Sequence, residues 1–192
     1  YYHKTSALAE HLLVKILNRA KQLISEGKNI EAYGNLKYFL YKTNFEKATD
    51  EVINRFTQLD DTDMLSAIKM WQNADDFVLS YFCKAVAQRK FPKTVFSSHP
   101  FEQDLIDEKI KKANHFFEID NGELLVEQIS RTLLPYDTEK QPIFLLNKSG
   151  EKIKLEDAET QILSAHINQP TTKNILYFPR EISNGAFDVK KY

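Results

Sequence analysis

All six prolines of this 192-residue chain lie after residue 90, and the first 90 residues contain none. Proline lacks a backbone N–H and clashes with the preceding helical turn, so it breaks a helix wherever it falls inside one. A long proline-free stretch can be helical throughout, whereas prolines spaced along a segment favour strand ends and turns. The distribution therefore predicts two regions: a helical segment over 1–90 and a mixed region after it.

The spacing of apolar residues predicts helices throughout the first region. In the opening stretch, apolar residues recur every three or four positions from Leu8 to Ile24, and Gly27 ends the pattern. Lys4, Lys15 and Arg19 fall on the opposite, polar stripe of that helix. Four more helices are predicted, over 30–42 and 46–59 and then after the capping clusters 60–63 and 73–76.

The second region predicts an α+β domain. Apolar and β-branched runs separated by prolines and Asn-Gly or Ser-Gly turns follow the order strand, helix, strand, strand, helix, strand. This order is the βαββαβ plan of a ferredoxin-like domain, an antiparallel sheet with helices on one face, over 91–182. Residues 183–192 are interpreted as a tail. The predicted strands are 93–97, 124–134 and 174–178, together with one hairpin whose arms are 142–146 and 151–155 and which is counted as one element of this plan; the predicted helices are 100–117 and 157–167.

Charge and cysteine content exclude several classes of protein. The formal net charge is −1, which disfavours a general nucleic-acid binder, so Lys109, Lys111 and Lys112 are interpreted as the solvated face of a helix. The single cysteine, Cys83, permits no internal disulfide and fits a reducing compartment, so we expect a cytoplasmic protein. No apolar run approaches the length that spans a bilayer, so no membrane association is expected.

Catalysis or metal binding by this chain alone is not predicted. The carboxylate pairs Asp60/Asp61, Asp75/Asp76 and Asp104/Asp107 lie at or near helix starts, where capping explains them. The five histidines are not spaced as metal ligands, and no glycine-rich phosphate loop is present. An RNA-recognition domain would need a glycine- and aromatic-rich central strand, which is missing.

The most distinctive motif is the opening Tyr1-Tyr2-His3-Lys4-Thr5, which leads into the first helix. It combines an aromatic ring, an imidazole and an ammonium group beside the free N–H groups of a helix start, where phosphate can bind. The alternative is that Lys4 belongs to an ordinary solvated face. The motif resembles the Tyr-x-His-Lys segment of HD-domain phosphohydrolases of the dNTP triphosphohydrolase type, which include vertebrate enzymes with a sterile-alpha-motif domain. The stretches 56–61 and 89–91 agree with that family in order, and the α+β region resembles its C-terminal lobe.

The resemblance implies a C-terminal fragment of a metal-dependent phosphohydrolase that acts on nucleoside triphosphates, with dNTPs as the substrates typical of the family. Its divalent metal ion and catalytic residues would lie upstream of Tyr1, and 1–90 would complete the catalytic lobe. Tyr1 would line the nucleotide pocket, and His3 and Lys4 would contact a nucleotide at a subunit boundary of a homo-oligomer. Tyr2 departs from the glutamine of the vertebrate enzymes. The alternative is a non-catalytic module for oligomerisation or for binding a small regulatory ligand.

Overall fold

A computed structural model describes residues 4–42, 44, 47–133, 143–146, 149–154 and 171–183. The chain divides into two compact units, Tyr1–Lys93 and Thr94–Tyr192. The first unit is helical and the second combines helix and sheet, so the predicted α+β class is confirmed. Each unit is described by itself below.

The core of the first unit is built from the apolar faces of four helices. Leu12, Ile16 and Leu23 of the first helix and Leu79 and Phe82 of the fifth are almost fully buried. The first helix contacts the second and the fifth, and the fourth also contacts the second and the fifth, so the four close into a ring. The helices of this unit are α1 (Lys4–Ser25), α2 (Gly34–Tyr41), α3 (Asp50–Thr57), α4 (Asp61–Trp71) and α5 (Phe77–Ala87).

Helix ends in this unit follow the local chemistry that the sequence indicates. Gly27 adopts a left-handed φ of 82°, and the amide of Lys28 donates to the carbonyl of Leu23 at 2.9 Å, which satisfies a free carbonyl at the end of α1. Asp60 caps α4, and its own amide donates to Asp63 in a capping box. Asp76 caps α5 by accepting from the amide of Leu79 at 2.8 Å.

Two helices are shorter than the sequence predicts. The helix predicted over 30–42, α2, begins at Gly34, which has a left-handed φ of 53°. The helix predicted from residue 46 begins at Asp50, because Thr49 accepts a capping hydrogen bond from the amide of Val52. None of the residues of α3 is buried, although its sequence is amphipathic.

In the second unit, a three-stranded sheet packs with one helix. The strand order is β1-β5-β2, and β2 and β5 are antiparallel, with Ile129 opposite Ile175. Strands β3 and β4 form a separate antiparallel pair. The elements are β1 (Lys93–Ser97), α6 (Gln103–Phe117), β2 (Glu127–Leu133), β3 (Phe144–Leu146), β4 (Lys152–Lys154) and β5 (Thr171–Phe178), with short 3-10 turns at Gly122–Leu124 and Arg180–Ile182.

The ferredoxin-like arrangement predicted for 91–182 is not confirmed. Among the described residues, the hairpin strands β3 and β4 do not join the sheet that β1, β5 and β2 form. The predicted helix over 157–167 and most of the predicted tail lie outside the described residues. The helix that was predicted to begin at Pro100 begins three residues later, at Gln103.

The core of the second unit lies where α6 and the ends of β2 and β5 meet. Phe101, Ala113, Leu176 and Phe178 are buried there. Lys109 is buried as well, at 7% exposure, with its ammonium nitrogen 5.2 Å from the centre of the Phe178 ring. Its interpretation as part of a solvated face is therefore wrong: the aliphatic stem packs and the charge lies over an aromatic face. Burial lowers the pKa of Lys109, and neighbouring Lys112 adds to this against the opposing effect of Glu108.

Candidate functional sites at the two ends of the first helix

The predicted nucleotide-binding residues lie at the beginning of α1. Lys4 is the first residue of the helix, so the free backbone N–H groups of its first turn lie in the same place as the predicted phosphate contact. The side chain of Lys4 and the whole of Tyr1 and His3 lie outside the described residues. The roles predicted for these three residues therefore stay predictions.

The clearest polar cavity of the first unit lies at the other end of α1. Its volume is about 540 Å³, within the usual range for small-molecule sites. From Lys4 to Ser25 the helix rises about 31 Å at 1.5 Å per residue, so a small ligand cannot bridge the two ends. The cavity is lined by residues from the end of α1, the following loop, and the α4–α5 connection, among them Lys28, Glu31, Trp71, Asp75 and Asp76.

Asp76, which lines this cavity, forms a bidentate ion pair with Arg19. Arg19 donates from Nε to Oδ1 of Asp76 at 3.0 Å and from a terminal nitrogen to Oδ2 at 2.6 Å. Both side chains are about nine-tenths buried, at 11% and 10% exposure. The fork-shaped guanidinium matches the two carboxylate oxygens, so the pair fixes the direction in which α5 leaves the loop.

The electrostatics of Asp76 follow from these contacts. Burial alone raises the pKa of this carboxyl. Hydrogen bonds from Arg19 and from the Leu79 amide, with the positive charges of Arg19 and Lys28, outweigh burial, so the pKa of Asp76 is lowered. Asp76 therefore stays ionised and engaged at neutral pH, and its oxygens serve the fold. Proton transfer at this position is not indicated.

The rest of the cavity is polar but does not form a recognisable reaction centre. The indole N–H of Trp71 donates to the carbonyl of Glu31 at 2.6 Å, which fixes the cavity floor. Within the parts of the chain that the structure describes, no three His, Cys, Asp or Glu residues are grouped to hold a metal ion.

A second, mainly apolar groove of about 430 Å³ lies on the same unit. Phe39 and Phe56 meet edge to face across it, with ring centres 6.0 Å apart. Beside it, the guanidinium of Arg55 lies 4.6 Å from the centre of the Tyr38 ring and Lys42 donates to the hydroxyl of Tyr38. The contacts of Phe56 with Phe39 and of Arg55 with Tyr38 attach α3 to α2 at the surface, since α3 has no buried residue of its own.

The sequence indicated that Asp76 caps a helix, but it did not indicate that Arg19 forms an ion pair with Asp76. Arg19 was placed on a polar stripe, yet its side chain is largely buried against a residue 57 positions away. The neighbours of Arg19 along the chain did indicate partial burial. Ile16 lies three positions before it and Ala20 one position after it, and both are fully buried. Arg19 therefore lies at the border of the apolar face of α1. Spacing could place Arg19 at that border but could not identify which carboxylate it would meet.

Comparison with known proteins shows that the chain is similar in structure to a phosphohydrolase. No protein-family model matches the sequence. A crystal structure of a phosphohydrolase from Bacteroides thetaiotaomicron VPI-5482 is similar to it, with a TM-score of 0.82 and 29% sequence identity over 94% of this chain. An uncharacterized protein of Bacillus subtilis (strain 168), YwfO, is 28% identical over 189 residues, or 95% of this chain.

Both relatives are much longer than this chain. The aligned region covers 42% of the Bacillus protein and 46% of the Bacteroides phosphohydrolase. The chain thus corresponds to less than half of each relative. Among its described residues, no helix is both long and apolar enough to cross a membrane.

Proposed function

We propose that this chain is the C-terminal part of an HD-type phosphohydrolase that hydrolyses nucleoside triphosphates, with dNTPs as the expected substrates. The observation that carries the proposal is the similarity to a phosphohydrolase at 29% identity over 94% of the chain. The TM-score of 0.82 and the coverage of 94% of the chain support the proposal over nearly the whole segment.

Within this proposal, Tyr1, His3 and Lys4 bind nucleotide at the start of α1. The free N–H groups of the helix start and the lysine ammonium would both favour a phosphate oxygen at that place. Tyr1 would contact the sugar or base. The described residues offer no ligand set for the divalent metal, so the metal and the catalytic groups would belong to the segment upstream of Tyr1. No reaction step is assigned to residues of this chain.

The test uses the longer protein that contains this chain. It is incubated with each dNTP and Mg²⁺ or Mn²⁺, and the phosphate or triphosphate released is separated by ion-exchange chromatography. We expect hydrolysis that a chelator abolishes, and a loss of about 10-fold or more in kcat/KM for Lys4→Ala, since a charge-assisted phosphate contact contributes about 1.5–3 kcal/mol. Lys4→Arg should restore part of the activity.

Lys69→Ala is the matched control, because Lys69 is an exposed lysine of the same unit that lies on α4, away from the start of α1. It should leave kcat/KM unchanged. If the longer protein hydrolyses no nucleotide, the proposed function is wrong. If it does, but Lys4→Ala behaves like Lys69→Ala, only the role of Lys4 is wrong.

A non-catalytic oligomerisation module is the second candidate, and one observation favours it: the apolar residues Phe144, Leu145 and Leu146 of β3 are all exposed. Under this alternative, Lys4→Ala would leave the kinetics unchanged, and substitutions on exposed apolar surfaces would change the size of the oligomer instead.

A further inference from the structure

The polar cavity at the end of α1 is lined by two opposite charges that do not pair. Lys28 comes from the loop after α1 and Asp75 from the α4–α5 connection, and every residue that lines the cavity belongs to the described part of the chain. Within that part, the side chains of Lys28 and Asp75 form no hydrogen bond and no ion pair, either with each other or with a third residue. Both groups are therefore available to one ligand.

The other two carboxylates that line the cavity already have partners. Asp76 accepts two hydrogen bonds from Arg19 and one from the amide of Leu79. Glu31 accepts from the hydroxyl of Tyr33 at 2.8 Å. The cavity therefore offers a ligand one ammonium group and one carboxylate, and its chemistry differs from that of a simple cluster of acidic residues.

The backbone on both sides of the cavity is held in place by hydrogen bonds. On one side the amide of Lys28 donates to the carbonyl of Leu23 at 2.9 Å, and on the other the amide of Ala74 donates to the carbonyl of Trp71 at 3.1 Å. The indole N–H of Trp71 donates to the carbonyl of Glu31 and so joins the two sides. The cavity is thus formed without a ligand, which lowers the cost of ordering on binding.

Apolar residues also line the cavity. Leu23, Ile30 and Trp71 are buried, at 0%, 7% and 3% exposure, and Met70 is half-buried. Asn73, which lines the cavity too, adds a side-chain amide that can both donate and accept. Apolar surface with a few polar groups is the usual composition of a small-molecule site.

We propose that this cavity binds a small zwitterion, an apolar α-amino acid, whose carboxylate contacts Lys28 and whose ammonium group contacts Asp75. The two charges of an α-amino acid lie about 3 Å apart, and a charge-assisted hydrogen bond at each end adds about 2.8 Å, so the ligand bridges groups about 8–9 Å apart. A sphere of the cavity's volume is about 10 Å across, which accommodates this span. The side chain of the ligand packs on the apolar lining.

A ligand with a single charge fits less well than a zwitterion. A cation paired with Asp75 would bring a second positive charge into the cavity beside Lys28. An anion paired with Lys28 would bring a second negative charge beside Asp75, and like charges placed together weaken binding. A zwitterion pairs with both groups and leaves the net charge of the cavity unchanged.

The experiment measures binding by isothermal titration calorimetry to the longer protein that contains this chain. The probes are L-leucine, L-methionine and L-phenylalanine, each compared with the amine that lacks its carboxylate and with the acid that lacks its amino group. No nucleotide is present, and the cavity lies about 31 Å along α1 from Lys4, so the result does not depend on the proposed hydrolysis. We expect at least one amino acid to bind with a Kd of about 1 mM or tighter, and its amine and its acid to bind at least three-fold more weakly.

Two variants assign the contacts. Lys28→Met should make the amino acid bind no better than its amine, and Asp75→Asn should make it bind no better than its acid. Both residues are exposed, so the fold should be unchanged by circular dichroism. The matched controls make the same changes elsewhere in the unit: Lys84→Met, eight residues or about 12 Å along α5 from Asp76, and Asp61→Asn, at the opposite end of α4 from Trp71.

Three results would overturn the proposal. The first is that none of the three amino acids binds. The second is that the amine or the acid binds as tightly as the amino acid, which would mean a site for a single charge. The third is that Lys28→Met and Asp75→Asn bind the amino acid as tightly as Lys84→Met and Asp61→Asn do.

Discussion

Asp76 has two structural roles, as the cap of α5 and as the partner of Arg19. We expect Asp76→Ala to lower the free energy of unfolding by about 2–4 kcal/mol, because it removes a helix cap and leaves a largely buried guanidinium without its carboxylate. Urea denaturation followed by circular dichroism measures this change. Arg19→Ala keeps the cap and should cost less than Asp76→Ala. If the two substitutions cost the same, the cap contributes nothing.

The same residue predicts a pH dependence. The pKa of Asp76 is lowered in the folded state, so its contribution is fully present above the unfolded value of about 3.9 and is lost as pH falls through the folded value. The stability difference between the native chain and Asp76→Asn should therefore be constant from about pH 7 to pH 5 and shrink below about pH 4. A difference that stays constant down to pH 3 would contradict the lowered pKa.

Gly122 lies where the chain turns from α6 toward β2. The chain packs so closely against α6 there that a side chain at this position would clash. A Cβ atom there would lie 2.5 Å from Oδ1 of Asn114 and 3.0 Å from the carbonyl of Ile110. The amide of Gly122 also donates to that same Oδ1 at 2.7 Å. We expect Gly122→Ala to destabilise the chain by about 1–3 kcal/mol in a thermal or urea melt.

Adding Asn114→Ala to Gly122→Ala supplies the control, since it removes the closest obstructing atom. The double variant should lose less stability than the sum of the two single losses. Additive losses would mean that the side chain of Asn114 is not the obstruction.

At the residue scale, the sequence predicted what depends on neighbours along the chain. The caps at Asp60 and Asp76 were predictable because a cap is defined by residues two or three positions away. Arg19 and Lys109 were not, because the carboxylate and the aromatic ring they meet come from distant parts of the chain. The nucleotide contacts predicted for Tyr1, His3 and Lys4 stay predictions, because these side chains lie outside the described residues.

At the element scale, α3 stands apart from the other helices of its unit. It has no buried residue, and its contacts with α2 are surface contacts made by Arg55 and Phe56. Helices with little buried apolar surface open at low free energy. We expect amide hydrogens of α3 to exchange much faster than those of Leu12–Ala20 in α1, measured by hydrogen–deuterium exchange with mass spectrometry.

The internal reference for this experiment is α5, an 11-residue helix of the same unit that buries six residues. It should exchange as slowly as α1. Protection of α3 equal to that of α5 would mean that another contact covers its apolar side.

The elements themselves followed from the sequence more closely than their arrangement did. Periodicity and turn residues located all the helices and strands that the structure describes, with errors of a few residues where a cap such as Thr49 decided the start. The sheet order β1-β5-β2 did not follow, because strand pairing joins residues far apart in the chain. For the same reason, the separation of the β3–β4 hairpin from that sheet could not be read from spacing.

At the scale of the whole molecule, the chain matches less than half of each of its longer relatives. It corresponds to 42% and 46% of the two relatives described above, and its described residues contain no metal-binding cluster. Activity, under the proposed function, would belong to the longer protein. What this chain contributes by itself is two compact units with separate cores.

The helices of the first unit contact one another in a closed ring. Each of α1, α2, α4 and α5 contacts two of the others, so the ring closes within Tyr1–Lys93. We expect the isolated segment 1–93 to be helical by circular dichroism and to unfold cooperatively in urea. Leu12→Ala, at a fully buried position of α1, should destabilise this segment by about 2–5 kcal/mol, whereas Val14→Ala, at 55% exposure on the same helix, should change its stability little. A segment without cooperative unfolding, or one equally sensitive at both positions, would show that the ring of helices is not a folding unit by itself.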